Sequence, residues 1–348
     1  MTSLGPIAFL GSGETSLAGG RVFEHLARQI EQPLRIAILE TPAGFELNSA
    51  QVAARVANFL QTRLSNYKSQ IQIVPARKRG TPFSPDDPEI CAPLLQANLV
   101  FMGPGSPTYA IRQLKDSLAW DLLRARHRMG AALVFASAAT IAAGQIGLPV
   151  YEIYKVGQDV HTVPGLGLFD DFGLALSFIP HWNNTDGGQE LDTSRCFIGR
   201  ERFEVWCAYL PENHTVVGLD EHTAIVFDFR QRECFVMGVS SVSLLRTCNP
   251  RIYPAGSTIL FEEFGSIEIP HPLSQGISPA IWEMASSISP HPTTGEEIPP
   301  PEVTALLEAR QAARARKDWS RADDYRRRIQ ALGWTVQDTP EGPKLVRG

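Results

Sequence analysis

The sequence predicts an α/β fold of three layers, a mostly parallel sheet between helices, and three observations carry that expectation. Over the first 150 residues, short and continuously apolar runs alternate with helix-length segments, the pattern of parallel strands buried on both faces. The turns "GSGETS", "GPGSP" and the lone Ser137 fall at the carboxyl ends of such runs, where open α/β sheets bind ligands. From about Leu174 the β-type runs become close-set, which predicts antiparallel strands late in the domain.

Taken in order, "PIAFL" reads as a strand ending at Gly11-Ser12-Gly13, and Gly20 to Ile30 as a helix. "RIAIL" is the next strand, and Asn48 to Leu64 follows with helical spacing of Val52, Val56, Phe59 and Leu60. "IQIVPA" and "NLVFMG" are strands, the second closing at Gly103-Pro104-Gly105. Leu114 to Arg128 reads as one helix, "AALVFA" as a strand and "ALSFIPHW" as a strand ending at His181. A helix is expected from about Asp192 to Leu210, then the runs "TVVGLD", "TAIVFDF", "CFVMGV" and "STILFEE". Residues 270–301 hold 8 of the 26 prolines and read as a semi-rigid linker, interrupted by a short helix near Ile281 to Ser286. Beyond it, Val303 to Lys317 and Trp319 to Leu332 form a helical hairpin, and "WTVQDTPEGPKLVR" a β-hairpin turning at Pro340 to Gly342. The predicted domains are therefore 1–269, a linker at 270–301 and a module at 302–348.

Composition bounds the function classes. The 348 residues are 43% hydrophobic and 20% charged, a globular balance with length enough for a sizeable core. No apolar run approaches the ~20 residues of a bilayer helix, and no basic n-region opens the chain. A cytoplasmic protein without membrane contact is expected. Its five cysteines are scattered with no CxxC pair, so neither a disulfide framework nor a metal site is expected. Residues 303–348 carry 10 Lys and Arg against 6 Asp and Glu, while the whole chain is at −5. That asymmetry marks a module with its own partner, or simply a solvated helix face.

Ser137 interrupts "LVFASAATIAAG", where a strand meets an alanine-rich helix. A serine on such an elbow has its hydroxyl presented beside a helix N-terminus, with small neighbours allowing close packing. The same residue type also serves as a packing serine or N-cap. Gly11, Gly13 and Ser16 form an incomplete dinucleotide fingerprint, and no cofactor is expected.

The ordered segments "FLGSGE", "TPAG", "VFMGPGSP", "VFASAAT", "IPHWNN" and "GLDEHTAIVFD" resemble the cyanophycinase and dipeptidase E family of serine peptidases. The resemblance spans roughly residues 5–265 and implies a glutamine amidotransferase-like, flavodoxin-like fold. The family elbow reads S-A-G, and here it is Ser137-Ala138-Ala139. The resemblance implies Ser137 as nucleophile, His181 as base and Glu152 as the acid that orients it, with Asp170, Asp171 and Glu221 as rivals. It implies an oxyanion hole from Gly105 and Ala138, a crevice lined by Gly11 and Gly13, and a pocket shaped by Asp220 and Glu221. Arg195 and Arg200 follow the histidine, as arginines that contact an acidic substrate do in cyanophycinases. A small peptide or acidic amino-acid conjugate is the implied substrate. A catalytically silent binding domain stays open as the other reading, because of Ala139.

The segment from "ARQAARARKDWSRADDYRRR" to "VQDTPEG" resembles the C-terminus of cysteinyl-tRNA synthetases, with no synthetase signature upstream. Arg310, Arg314, Arg316, Lys317, Arg321 and Arg326 to Arg328 would offer a basic surface to RNA phosphates. A hairpin that docks or forms a homodimer is the alternative.

Overall fold

In the computed structural model, residues 4–246, 250–287, 301–316, 318–339 and 342–347 are described. The expected turn at Pro340 and most of the linker after 287 lie outside them, as does Lys317. The chain divides into two compact units, Met1–Ile288 and Ser289–Gly348.

The first unit opens with β1 (Ile7–Leu10), α1 (Leu17–Ala27), β2 (Arg35–Leu39), α2 (Ser49–Arg63) and β3 (Gln70–Val74). It continues through α3 (Pro88–Gln96), β4 (Leu99–Met102), α4 (Pro107–Leu114), α5 (Leu118–Arg128), β5 (Ala132–Ala136) and α6 (Ala138–Ala142). A two-stranded ribbon, β6 (Ile146–Gly147) and β7 (Val163–Pro164), encloses α7 (Val150–Tyr154). Then come β8 (Leu176–Ile179), α8 (Arg200–Cys207), β9 (Thr215–Leu219), β10 (Thr223–Asp228), β11 (Glu233–Gly238), β12 (Ser241–Leu245), β13 (Arg251–Pro254), β14 (Thr258–Leu260) and α9 (Pro279–Ser287).

The main sheet has the order β14-β11-β10-β1-β5-β4-β2-β3. The five strands from β1 to β3 are mutually parallel, and β10, β11 and β14 extend the sheet with antiparallel pairings. A second sheet, β13-β12-β9-β8, carries the strand that leads to His181. Alternation along each strand assigns the two faces of the main sheet. Ala8, Leu10, Ile36 and Ile38 pack with Val22, Phe23, Val56 and Leu60 of α1 and α2. Ile7, Phe9, Ala37 and Leu39 join the opposite core with Leu114, Trp120 and Leu123. The result is the predicted three-layer αβα arrangement. Its second core is rich in rings: Phe9 stacks on Phe178 at 3.9 Å and on Phe135 at 5.3 Å, tying β1, β5 and β8 together.

Several elements differ from the sequence reading for identifiable reasons. The single helix expected over 114–128 is two, because Ser117 Oγ accepts from Trp120 N–H at 3.2 Å and begins α5. Asp116 turns the chain between them at φ 56°. The helix expected from Asp192 starts only at Arg200, since Arg195, Cys196 and Phe197 have φ of 58°, 60° and 72°. Helix α3, with Pro88 at its first turn and Asp87 as cap, was not anticipated. Residues 270–287 are not linker: Arg128 Nη1 donates to Leu273 O at 3.0 Å, Arg124 Nη2 to Gly276 O at 2.6 Å, and Ala285 is fully buried. Asp171 lies between the two arginine heads, so the first unit runs about twenty residues past the predicted boundary.

In the second unit, α10 (Pro301–Ala315), α11 (Trp319–Ala331), β15 (Trp334–Thr339) and β16 (Gly342–Arg347) form a helical hairpin and an antiparallel pair. Val303, Leu306, Ile329, Trp334 and Val336 make its small core. Among the described residues no helix is long and apolar enough to cross a membrane.

Two buried histidines link stability to pH. Burial, with the Arg128 charge beside it, holds the His127 imidazole down at about 3, and burial holds His214 at about 4. Both rings are neutral in the folded chain, and unfolded imidazoles protonate near the ordinary value of about 6.5. As pH falls below that value the unfolded chain binds more protons, so stability is lost on acidification. Thermal unfolding of His127→Leu between about pH 7.5 and 5 should show a smaller fall in Tm than the parent, by roughly 3 °C or more; an equal fall would refute the linkage.

Candidate active site

β5 is buried along its whole length and delivers Ser137 to the start of α6. Ser137 sits at φ 53°, ψ −116°, the strained strand-to-helix pose that exposes a nucleophile. Its N–H donates to Leu10 O at 3.3 Å, and Thr140 Oγ1 donates to the same carbonyl at 3.1 Å. Ala136, Ala138 and Ala139 are buried around it. The Ala139 N–H donates to Gly103 O at 3.3 Å, so the elbow and the loop after β4 are joined at the alanine that departs from the S-A-G pattern.

His181 leaves β8 at φ 49° with its N–H on Gly11 O at 3.2 Å. Its Nε2 is 3.0 Å from Ser137 Oγ, and its Nδ1 is 2.8 Å from Glu221 Oε1. A carboxylate only accepts, so Nδ1 carries the proton and Nε2 is free to accept from the serine hydroxyl. Glu221 takes a second hydrogen bond from Asn184 Nδ2 at 3.0 Å. Its own N–H donates to Asn183 Oδ1 at 2.8 Å. Burial pushes the Glu221 carboxyl up, but the hydrogen bonds from His181 and Asn184 and the nearby imidazoles outweigh burial and hold it below its ordinary value.

The carboxylate expected beside His181 was Glu152, and the structure places it elsewhere. Glu152 lies on the short helix α7, and its Oε1 accepts from Thr108 Oγ1 at 2.6 Å. Asp170 accepts from Gln145, and Asp171 from Arg124 and Arg128. Of the four acids, only Glu221 reaches the imidazole. The signal was present in "GLDEHTAIVFD", which sets Glu221 at the end of β9.

The glycines sit where backbones meet. A Cβ on Gly11 would lie 2.1 Å from Asp220 O, and one on Gly105, at φ 143°, would lie 2.0 Å from Pro42 O. Gly13 is at φ 73° against the His222 ring. Ser106 N–H donates to Pro42 O at 2.9 Å, which fixes the Gly105 turn beside the elbow. Asp220 is tied up with Ser240 and Ser241.

Arg195 and Arg200 are not aimed at Ser137. The Arg195 guanidinium stacks 3.7 Å over the Trp182 ring and donates to Trp182 O at 2.9 Å. Both arginines line a cavity of about 770 Å³ whose walls include Trp182, His214 and Arg246 but none of Ser137, His181 and Glu221. No cluster of three or more His, Cys, Asp or Glu among the described residues is placed to hold a metal ion.

Comparison with known proteins separates the chain into the same two parts. A peptidase from an acI-B1 Actinobacterium shares the fold, with a TM-score of 0.60 and 20% identity over 75% of this chain and 98% of its own. A putative peptidase E protein of Listeria monocytogenes EGD-e aligns over 68% of this chain and 100% of its own at a TM-score of 0.45 and 15% identity. Residues 299–343 match the cysteinyl-tRNA ligase anticodon binding domain. The cysteine–tRNA ligase of Methanosarcina mazei is 53% identical over 53 residues, which are 15% of this chain and 11% of the ligase. The chain thus spans about a tenth of the curated ligases it matches, and carries that segment after a body with the fold of a peptidase.

Proposed function

We propose that the first unit is a serine peptidase whose triad is Ser137, His181 and Glu221. The observation that carries this is the continuous hydrogen-bonded relay from Ser137 Oγ to His181 Nε2 at 3.0 Å and from His181 Nδ1 to Glu221 Oε1 at 2.8 Å. The strained pose of the serine supports it, since such conformations persist where function needs them. In this reading Ser137 Oγ attacks the scissile carbonyl as His181 Nε2 takes its proton. The imidazolium is stabilised by Glu221 and returns the proton to the leaving amine. Water, activated by the same imidazole, then releases the acyl group and restores the serine. The N–H groups of Gly105 and Ala138 hold the oxyanion. The acidic substrate implied by the sequence drew its counter-charge from Arg195 and Arg200, and the cavity they line has none of the three triad residues in its walls.

A fluorophosphonate probe should label the parent chain and fail to label Ser137→Ala; absence of labelling in the parent would overturn the hydrolase reading. Glu221→Gln should reduce the labelling rate by about ten-thousand-fold, as loss of a triad carboxylate does, while Glu152→Gln stays within about tenfold. The reverse ranking would return the acid role to Glu152.

A second reading concerns the second unit alone. Its match to an anticodon binding domain and its basic helices support contact with RNA phosphates. Removing residues 303–348 should abolish RNA binding that weakens steeply with salt; binding retained by the truncated chain would refute it.

A further inference from the structure

Helix α7 is tied on one side to the helix after the Gly105 loop and on the other to the ring beside His181. At one end Glu152 takes the Thr108 hydroxyl at 2.6 Å, in the first turn of α4 and directly after the Gly105 loop. At the other end the Tyr154 ring lies 5.9 Å from Phe197, and the Phe197 ring lies 5.4 Å from His181. Tyr151 stands one turn before Tyr154 on the same face, and burial raises its phenol. The Phe45 ring packs on Tyr109 of α4 at 5.1 Å, and the loop carrying Phe45 is joined to the Gly105 turn through Pro42.

The α7 rings lead through Phe197 to the imidazole, the Phe45 ring stands with Tyr109 by the Gly105 loop, and these rings are not packed away. Phe45 is 51% exposed, Tyr151 36% and Tyr154 37%. Aromatic surface left open beside a reactive centre marks a binding surface. The elements that carry these rings bear side chains of both signs. Glu46 and Glu152 are matched by Arg112 and Lys155, whose heads each lie 5.2 Å over the Tyr109 and Tyr151 rings. Apolar contact rather than ion pairing is left to discriminate.

We propose that Phe45, Tyr151, Tyr154 and Phe197 form the subsite for the side chain next to the scissile bond, and that they select a large apolar or aromatic residue. Glu152 acts there as a positioning residue, anchoring α7 to the oxyanion loop. The proposal rests on the serine peptidase reading, and its test is chosen to fail separately.

Calorimetric titration of full-length Ser137→Ala with the peptides Ala-Phe-Ala-Ala and Ala-Asp-Ala-Ala measures the preference without catalysis. The phenylalanine peptide should bind about tenfold more tightly, the scale of one well-packed ring contact. Adding Tyr154→Ala or Tyr151→Ala should erase the difference, and Tyr154→Phe should restore it. Equal binding, no binding, or tighter binding of the aspartate peptide overturns the subsite. So does a preference that survives both alanine substitutions, or a dimer that those substitutions dissociate while the preference stands. Probe labelling of the parent reports separately: labelling without the preference refutes the subsite alone, and the preference without labelling refutes the peptidase reading and leaves the rings as a binding surface with no scissile bond beside it.

Discussion

Ser137 at φ 53° is the constraint from which the geometry around it follows. A non-glycine residue in this region costs about 1–2 kcal/mol, and Ser137 has company. His181, Arg195, Cys196, Phe197 and His222 also have positive φ, so six of the nine such non-glycine residues among those described gather at one site. Together they cost at least ~6 kcal/mol, comparable to the net stability of a domain. Part of that cost is offset locally. Arg195 N–H reaches Trp182 O at 3.0 Å, Cys196 N–H reaches His181 O at 3.2 Å, and Phe197 N–H reaches Thr193 O at 2.9 Å, each bond contributing about 1 kcal/mol. The left-handed turn is thus a brace that holds His181 from behind.

The second support is the sheet. β1 lies between β5 and β10, so the loops after β1 and β5 open side by side. Leu10 O receives both Ser137 N–H and Thr140 Oγ1, and Gly11 O receives His181 N–H. One short stretch after β1 therefore registers the serine against the histidine, although 44 residues separate them in the chain. The absence of a side chain at Gly11 matters here, because Asp220 O occupies that space and Glu221 follows directly. Serine, histidine and glutamate are set by contacts to the same strand end.

The two units obey different physics. The body buries an extensive aromatic core, in which Phe9, Phe135, Phe178 and Phe227 come from four strands. The C-terminal unit has a core of a few side chains, and outside it Arg321 and Arg327 are three-quarters exposed. Paired with Asp318 and Asp324 on the surface, those arginines contribute little to stability.

Strand and helix alternation, the position of Ser137 at a strand end, His181 at another, and the separate C-terminal module were all legible in the sequence. Each is a local pattern of burial or a break in one, and burial periodicity is what a sequence displays directly. The split of α4 from α5 was legible too, in Ser117, once helix caps are weighed as heavily as apolar spacing. The partner of His181 was not. Glu152 was nearer Ser137 in the chain, but α7 turns it toward Thr108, while Glu221 arrives from β9 in a different sheet. Arg195 likewise follows His181 closely, yet a left-handed turn carries its guanidinium onto Trp182 and away from the serine. The sequence by itself determined which residues stand at strand ends. Which of them meet depended on strand order and on backbone turns of positive φ, because those are decided by contacts between distant segments that no local pattern records.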